Sequence, residues 1–299
     1  MKSILCIDAG ASSSKWAHFQ HPNSLRIGKA NHITGHIFSD AEWDRTKAEI
    51  ESIATETGHV ENVIFGVTGL DRGTQIAEKL ADYCRKRFNA DTVQITNDME
   101  LAHSAFFQAG EGIILYAGTG AVAVTRTTNG ELVRVGGRGF MIADEGGGYW
   151  IGREAVRHIT RILDMGGQMS DSILASTISE NLKLADWNAV RDYVYGGGRQ
   201  AVAQIAPQVA IAESKGCEHA NFILLNSAAE LLKLFEMLNK RYPVQKCVAL
   251  GGVFALSQTI INKVEKEIAI GLEYFNSDIP SQWIRKQQNI PDVKSLKPD

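Results

Sequence analysis

The order of apolar and polar residues along the chain predicts a mixed α/β protein. Residues 3–7 read SILCI, a short apolar run that ends at an Asp-Ala-Gly turn, which is typical of a buried strand. Two further strand-like segments follow. Apolar positions then recur at helical spacing over residues 40–57, with Ser39 or Asp40 available as the N-cap. Strands and helices alternate from there to about residue 110, so the first part of the chain predicts a strand meander followed by alternating elements.

The same order of elements begins again at residue 112. GIILYAG (112–118) predicts a strand that ends in a glycine turn, and two more strands follow around a TNG hairpin signal. Residues 172–240 are almost entirely helical in pattern, with breaks predicted at YGGG (195–198) and at SKG (214–216). A strand into a Gly-Gly turn and one more helix complete the series. The repeat is one of architecture and not of sequence.

Composition and charge exclude several classes of protein. The chain has 299 residues, of which 44% are hydrophobic and 22% charged, and its net charge of −3 gives no reason to expect a nucleic-acid or membrane-surface partner. The cysteines form no CxxC pair, so we expect scattered buried thiols (Cys6, Cys84, Cys217 and Cys247). No signal sequence is evident, and no segment approaches the roughly 18 apolar residues of a membrane span. These features predict a soluble, cytoplasmic protein.

Two glycine turns follow strands about a hundred residues apart: DAGASSS (8–14) and LYAGTGA (115–121). Backbone N–H groups in such turns form a concavity that binds anions, and glycine lets the backbone approach the anion closely. Neither turn is a P-loop, because no Gly-Lys-Ser/Thr follows. Each alone could equally be a hairpin turn, but together they favour a clamp on a polyphosphate. A third turn, ALGGVFA (249–255), could then support a nucleotide base.

Two aspartates follow predicted strands, where α/β proteins place their ligands. Asp8 is a candidate Mg²⁺ anchor acting through water, or else a residue that caps the turn. Asp98 can accept the proton of a hydroxyl that attacks a γ-phosphate, or it can be a helix N-cap, a role for which Asn97 competes.

The loop GGRGFMIADEGGGYW (136–150) contains six glycines and an acidic pair just before a helix. Asp144 or Glu145 could hydrogen-bond sugar or amide groups, and Arg138 could reach a phosphate or another anion. The alternative is a solvated acidic loop. Asn31, in the loop GKANHITG, is a further candidate for polar contacts to a ligand.

These motifs, taken in order, resemble the sugar-kinase branch of the BadF/BadG/BcrA/BcrD ATPase family, and most of all its N-acetylglucosamine kinases. The resemblance covers residues 3–165 and the short motif at 245–256. It implies an α/β fold with two ribonuclease-H-like lobes of the actin-like ATPase class and a nucleotide cleft between them. The expected lobes are residues 1–114 and 115–299, and the expected cofactors are ATP and Mg²⁺.

The resemblance also assigns roles to individual residues. It implies that Asp98 is the catalytic base for the sugar 6-hydroxyl and that Asp8 lies near Mg²⁺. The nucleotide would be held by the first loop, the second loop and the adenosine motif: Gly10, Ser12, Ser13, Ser14, Gly118, Thr119, Gly120, Gly251 and Gly252. The amino sugar would contact Asn31, Thr119, Gly137, Arg138, Gly139 and Asp144.

The chain departs from the family pattern in three places. Its first loop reads DAGASSSK where the family commonly has DGGGT and a basic residue, so Ala9 and Ala11 replace glycines and Lys15 is shifted. Arg138 stands where members specific for N-acetylglucosamine can have Trp, which leaves glucosamine and N-acetylmuramic acid open as substrates. The tail after residue 280 shows no Gly-Ala-containing helix that would return to the first lobe.

Two other functions stay open. An ATPase activator of the wider family would hold a metal cluster through cysteines, and the isolated cysteines argue against it. A non-catalytic nucleotide or sugar sensor is compatible with the altered first loop. The oligomeric state is left open, a homodimer included.

Overall fold

The protein is described by a computed structural model that covers residues 3–10, 13–20, 24–70, 73–275 and 278–290. These residues form two compact units. The first unit contains the described residues up to Ala109 together with 278–290, and the second extends from Gly110 to residue 275. The units differ from the expected lobes at two places, because residues 110–114 belong to the second unit and the last helix belongs to the first.

The first unit is built on a five-stranded sheet. Its strands are β1 (Ile4–Ala9), β2 (Ser14–Gln20), β3 (Ser24–Ala30), β4 (Asn62–Val67) and β5 (Thr92–Asn97). The order across the sheet is β3-β2-β1-β4-β5, in which the first three strands pair antiparallel and β1, β4 and β5 are parallel. Its helices along the chain are α1 (Asp40–Thr57), α2 (Gln75–Phe88) and α3 (Asp98–Phe106).

Both faces of this sheet are buried. Leu5 and Ile7 of β1 lie in a core with α1 and α2, while Cys6 between them packs on the opposite face with Leu101 of α3. This alternation follows from the two-residue period of a strand. A side chain at Gly66 in β4 would clash with α3, because a Cβ there would lie 2.7 Å from the Leu101 side chain.

The second unit repeats the arrangement. Its strands are β6 (Ile113–Ala117), β7 (Ala121–Arg126), β8 (Leu132–Gly136), β9 (Lys246–Leu250) and β10 (Gly271–Phe275). Their order is β8-β7-β6-β9-β10, with the same antiparallel and parallel pairs as the first sheet. The architectural repeat predicted from the sequence is therefore confirmed.

Six helices of the second unit surround its sheet or extend from it: α4 (Gly148–Asp164), α5 (Ile173–Leu182), α6 (Trp187–Ala203), α7 (Ala206–Ser214), α8 (Glu218–Arg241) and α9 (Gln258–Glu267). Short 3-10 turns occur at Met169–Asp171 and Gly252–Ala255. The break predicted at 195–198 is a kink inside α6, where Gly198 has φ 55° and ψ −142°. The break at 214–216 separates α7 from α8, as predicted.

The expectation that the tail has no returning helix was wrong. Helix α10 (Ile279–Gln288) packs against α3, β1 and β2 of the first unit, where Ile279 and Ile284 are buried beside Leu101. Asp278 is its N-cap and accepts a 2.7 Å hydrogen bond from the Ser281 N–H. Trp283 of the same helix is partly buried against this core, and tertiary packing of this kind stabilises a helix that is too short to be stable alone.

Two predictions about the chain as a whole can be compared with the structure. The four cysteines are all buried and none forms a disulfide, as expected. Within the described ranges, every helix is too short or too polar to cross a bilayer.

Candidate functional site

The carboxyl ends of three parallel strands carry polar side chains to one edge of the first sheet. Asp8 is the second-last residue of β1, Thr68 follows the end of β4, and Asp98 follows the end of β5. Ala9 is paired with Val67, and Val67 with Asn97, so the three strands end at the same level. Asp8 and Asp98 therefore lie at the carboxyl ends of strands, as the sequence predicted.

Asp98 is the first residue of α3 and is not its N-cap. That role belongs to Asn97, whose Oδ1 accepts the Met99 N–H at 3.0 Å. Asp98 Oδ1 accepts from the same N–H at 2.9 Å, and its Oδ2 lies 2.5 Å from Thr68 Oγ1. The structure therefore settles the competition between Asn97 and Asp98 for the cap, and the Asp98 carboxylate is held by Thr68 and Met99.

Thr68 links Asp98 to β1. Its Oγ1 is also 2.9 Å from the Ala9 carbonyl oxygen, although a hydroxyl has one hydrogen to donate. When Asp98 is ionised, Thr68 can donate to the carboxylate. When Asp98 carries a proton, Asp98 can donate to Oγ1 while Thr68 donates to Ala9. One side chain thus suits both protonation states of the carboxyl group.

The environment of Asp8 disfavours its charge. The pKa of Asp8 is raised from 3.8 to about 7, mainly by burial and then by the nearby Asp98 and Asp278 carboxylates, while Lys15 opposes the shift. A divalent cation would offset this carboxylate repulsion, so the residues fit the predicted Mg²⁺. Among the described residues, no group of three or more His, Cys, Asp or Glu is arranged around one point.

The first glycine turn is only partly described, because Ser12 lies outside the described residues. Gly10 N–H donates to the Ser13 carbonyl at 3.1 Å. Ser14 is fully buried, and its Oγ accepts the Ile33 N–H at 3.1 Å. Ser14 thus joins the turn to the loop that contains Asn31, and contacts of Gly10, Ser13 and Ser14 with phosphate stay predictions.

Asn31 is fixed by a helix of its own unit. Its side-chain nitrogen donates to Glu49 Oε1 at 2.8 Å, and its backbone N–H donates to Glu49 Oε2 at 3.0 Å. Further along the same loop, Gly35 N–H donates to the Thr68 carbonyl at 2.9 Å. The Asn31 loop, Thr68 and Asp98 are therefore connected through hydrogen bonds.

The second glycine turn closes the hairpin of β6 and β7. Its three carbonyls accept hydrogen bonds, since Gly148 N–H donates to Gly118, Tyr149 N–H to Thr119, and Gly118 N–H to Gly120, at 2.8–2.9 Å. In the part of the chain that the structure describes, the N–H groups of Thr119 and Gly120 have no acceptor. Carbonyls turned inward and free N–H groups are what an anion-binding turn requires.

Asp144 lies directly against this turn. It is only 5% exposed and has a left-handed backbone, with φ 67°. Its Oδ1 accepts the Gly139 N–H at 3.2 Å, and its Oδ2 lies 3.4 Å from Nη2 of Arg199. A Cβ at Gly120 would collide with the Asp144 carboxylate, so glycine is required there.

Several other residues of the glycine-rich loop are more exposed than Asp144. Glu145 is exposed, so the carboxylate held inside the unit is that of Asp144, and the interpretation as a fully solvated acidic loop is excluded. Gly137 and Gly139 both have positive φ, of 62° and 100°. Arg138 between them is exposed and has no ion pair or hydrogen bond with a described residue.

The third glycine turn packs on the second. Gly251 has φ 107°, and a Cβ there would collide with the Ala117 carbonyl and lie 3.1 Å from the Gly118 nitrogen. Phe254 in the following 3-10 turn contacts Tyr274 edge to face, with ring centroids 5.8 Å apart. Gly251 is thus beside Gly118, and the contact of Gly251 and Gly252 with adenosine stays a prediction.

Sequence reasoning missed two side chains of these sites. Thr68 had a signal, since it is a hydroxyl residue directly after a predicted strand and before a glycine. Arg199 follows the YGGG segment that was interpreted only as a break. Its contact with Asp144 joins residues 55 positions apart, which no local pattern reveals.

The two sheets and their matching strand orders define an α/β fold of the actin-like ATPase type, as predicted. Residues 6–280 match the BadF/BadG/BcrA/BcrD ATPase family, and the chain belongs to this family. It is similar to an N-acetylmuramic acid/N-acetylglucosamine kinase of Clostridium acetobutylicum, with 30% identity over 188 residues, which are 60% of this chain and 60% of the relative. The chain spans about 60% of the length of the curated relatives it matches.

Solved structures share the fold. A candidate N-acetylglucosamine kinase of Chromobacterium violaceum superposes with a TM-score of 0.71 at 16% identity, covering 95% of this chain and 98% of that one. A ROK family glucokinase of Streptomyces griseus, in complex with glucose and AMPPNP, has a TM-score of 0.56 at 13% identity and covers 91% and 94%. At these identities the likeness establishes the fold alone.

Proposed function

We propose that the protein is an ATP-dependent kinase that phosphorylates the 6-hydroxyl of an amino sugar, with N-acetylglucosamine as the first candidate. The observation that carries the proposal is Asp98, whose carboxylate lies at the carboxyl edge of the parallel strands and is oriented by Thr68. Membership of the family and the named activity of the Clostridium relative support the same assignment.

In the proposed reaction, Asp98 accepts the proton of the sugar hydroxyl. The hydroxyl oxygen forms a bond to the γ-phosphorus, the bond from that phosphorus to the β,γ-bridging oxygen breaks, and ADP leaves with the electron pair. The N–H groups of Thr119 and Gly120 donate to phosphate oxygens. Asp8 would hold Mg²⁺ through water, and the ion, when bound, neutralises phosphate charge.

The proposed sugar contacts comprise side chains that the protein already holds by hydrogen bonds, and backbone groups of glycines. Asn31 and Asp144 are held by protein hydrogen bonds, which lowers the entropy lost on binding a sugar hydroxyl. Gly137 and Gly139 would present backbone groups. Thr119 would also face the sugar.

N-Acetylmuramic acid is a second candidate substrate, and Arg138 favours it. That sugar differs from N-acetylglucosamine by a lactyl ether, which carries a carboxylate. An exposed guanidinium without an ion pair among the described residues is suited to bind it. Glucosamine stays a third candidate substrate, and a sensor of sugars without catalysis is the competing function.

The test is a coupled kinase assay with ATP and each of the three sugars, followed by identification of the phosphorylated position by NMR. Asp98→Asn is expected to lower kcat about 10²- to 10⁴-fold, because general-base catalysis contributes that much. Asp82→Asn is the matched control, since Asp82 pairs with Arg85 on the exposed face of α2.

Three outcomes decide the proposal. Turnover on one of the sugars that Asp98→Asn abolishes and Asp82→Asn retains supports it. No turnover on any sugar, or equal turnover by Asp98→Asn and the wild type, contradicts it. Sugar binding detected by calorimetry without product favours the sensor.

A further inference from the structure

The kink in α6 lies directly before a charged residue. Gly198 has φ 55° and ψ −142°, a backbone conformation that L-residues with a side chain rarely adopt. Arg199 comes directly after Gly198. Its side chain is about one-third exposed, so it is accessible from solvent while in contact with the unit.

The Arg199 guanidinium lies against both the second glycine turn and the glycine-rich loop. Its Nη2 is 3.4 Å from Asp144 Oδ2, and a Cβ at Gly120 would be 3.0 Å from the same nitrogen. Its Cζ is 5.4 Å from the centre of the Phe140 ring. Arg199 is therefore a cation beside the turn whose free N–H groups belong to Thr119 and Gly120.

The hydrogen-bonding capacity of Arg199 is poorly used by the protein. A guanidinium has five N–H donors, and a charge-assisted N–H···O bond is usually 2.7–2.9 Å long, which is shorter than the contact with Asp144. Its Nε is buried and has no acceptor in the described parts of the chain. A buried unsatisfied donor is costly, so its presence suggests a ligand that supplies the acceptor.

We propose that Arg199 binds a phosphoryl group held at the Gly118–Gly120 turn. The inference rests on the proposed function and adds a residue to its nucleotide site. The phosphoryl oxygens would compete with Asp144 for the guanidinium, so that Asp144 becomes free to accept hydrogen bonds from a sugar. Nucleotide binding and sugar binding are then coupled through one side chain.

The experiment measures binding of AMPPNP with Mg²⁺ by calorimetry, without sugar and therefore without turnover. Arg199→Gln is expected to weaken binding about 10- to 100-fold, as loss of a charge-assisted bond does, and Arg199→Lys less. Arg191→Gln is the matched control, because Arg191 lies on the same helix and pairs with Asp192 at the surface. It is expected to bind AMPPNP within twofold of the wild type.

A purely structural role makes a different prediction. If Arg199 only holds Asp144, Arg199→Gln and Asp144→Asn would both raise the KM for sugar and leave AMPPNP binding unchanged, and that result would overturn the inference. The double variant Arg199→Gln, Asp144→Asn removes both charges, so it tests nucleotide binding without a buried unpaired carboxylate. A loss of AMPPNP affinity in a folded double variant but not in folded Asp144→Asn supports the inference.

The inference and the proposed function can fail separately. A wild type that phosphorylates a sugar while Arg199→Gln binds AMPPNP normally overturns only the role of Arg199. A wild type that binds AMPPNP, with Arg199→Gln impaired, but phosphorylates no sugar supports the role of Arg199 and overturns the kinase. A wild type that does not bind AMPPNP overturns both.

Discussion

The Thr68 hydroxyl and the Met99 N–H together orient the Asp98 carboxylate. The hydroxyl lies 2.5 Å from that carboxylate and 2.9 Å from the Ala9 carbonyl, so it can donate to either one as the protonation of Asp98 changes. In the proposed reaction, the Thr68 hydroxyl donates to the ionised Asp98 carboxylate before proton transfer. It accepts a hydrogen bond from the protonated carboxyl group afterwards. Thr68 is a positioning residue in the proposed reaction, since it acts through Asp98.

Replacing Thr68 with Val removes the hydroxyl and keeps the shape. We expect kcat to fall about 10- to 100-fold, because Asp98 loses orientation, with little change in the KM for sugar. The acidic limb of the kcat–pH profile should move to higher pH, since a lost donor raises the pKa of a carboxylate. Thr68→Ser keeps the hydroxyl and should restore both. A Val variant with the wild-type profile would contradict this role.

The residues that could be predicted are those whose position depends on local pattern. Asp8 and Asp98 each follow a recognisable strand, and parallel strands bring their ends together. The Ser14 Oγ accepts the Ile33 N–H, 19 residues away, a contact that no local pattern predicts, while its contact with phosphate stays a prediction. Such partners depend on how loops fold back, which neither composition nor periodicity contains.

At the scale of elements, the strands and most helices could be predicted because each has a clear period and a turn signal. Helix α10 could not, although Asp278 and Pro280 form a helix start signal. Its burial depends on α3, β1 and β2, which lie far earlier in the chain. For example, Lys286 Nζ donates to the Ser104 carbonyl, 182 residues before it. The chain therefore does contain a helix that returns to the first unit.

The α6 kink gives a prediction that separates backbone strain from side-chain contacts. A Cβ would meet open space at both Gly198 and Gly196, but only Gly198 has a positive φ. We expect Gly198→Ala to lower the free energy of unfolding by about 1–3 kcal/mol through backbone strain. Gly196→Ala, in the same helix, should raise it by about 0.5–1 kcal/mol. Urea denaturation measures both, and equal effects would show that the kink is not maintained by Gly198.

At the scale of the whole molecule, the repeat places corresponding turns in corresponding positions. The turn after β1 and the turn after β6 both join the central strand of a sheet to its antiparallel neighbour. The sequences of the two turns differ, with serines in the first and Gly-Thr-Gly in the second. What is repeated is the place of the turn in the sheet, and backbone N–H groups are what binds phosphate in the proposed function.

The stability of the whole chain should depend on pH through two stacked histidines of the second unit. The rings of His158 on α4 and His219 on α8 have centroids 3.8 Å apart, and His158 Nε2 is 3.0 Å from Ser172 Oγ. Burial lowers the pKa of His158 from 6.5 to about 4, with His219 and Arg161 adding to the shift. The pKa of His219 is also lowered, by burial first and then by Arg161, and Glu154 opposes this shift.

Since the folded state favours the neutral rings, their contribution to stability is complete above pH 6.5 and is lost as the pH falls towards 4. Both rings are partly exposed, so protonating them should cost only a modest part of the stability. We expect the fall in the free energy of unfolding between these pH values to be on the order of 1 kcal/mol smaller in His158→Gln than in the wild type. The measurement is the free energy of unfolding in urea at pH 7 and pH 4.5. His32→Gln, at an exposed loop position, should keep the wild-type difference between the two pH values. If His158→Gln also keeps the wild-type difference in the free energy of unfolding, other groups and not the stacked histidines cause the loss of stability in acid.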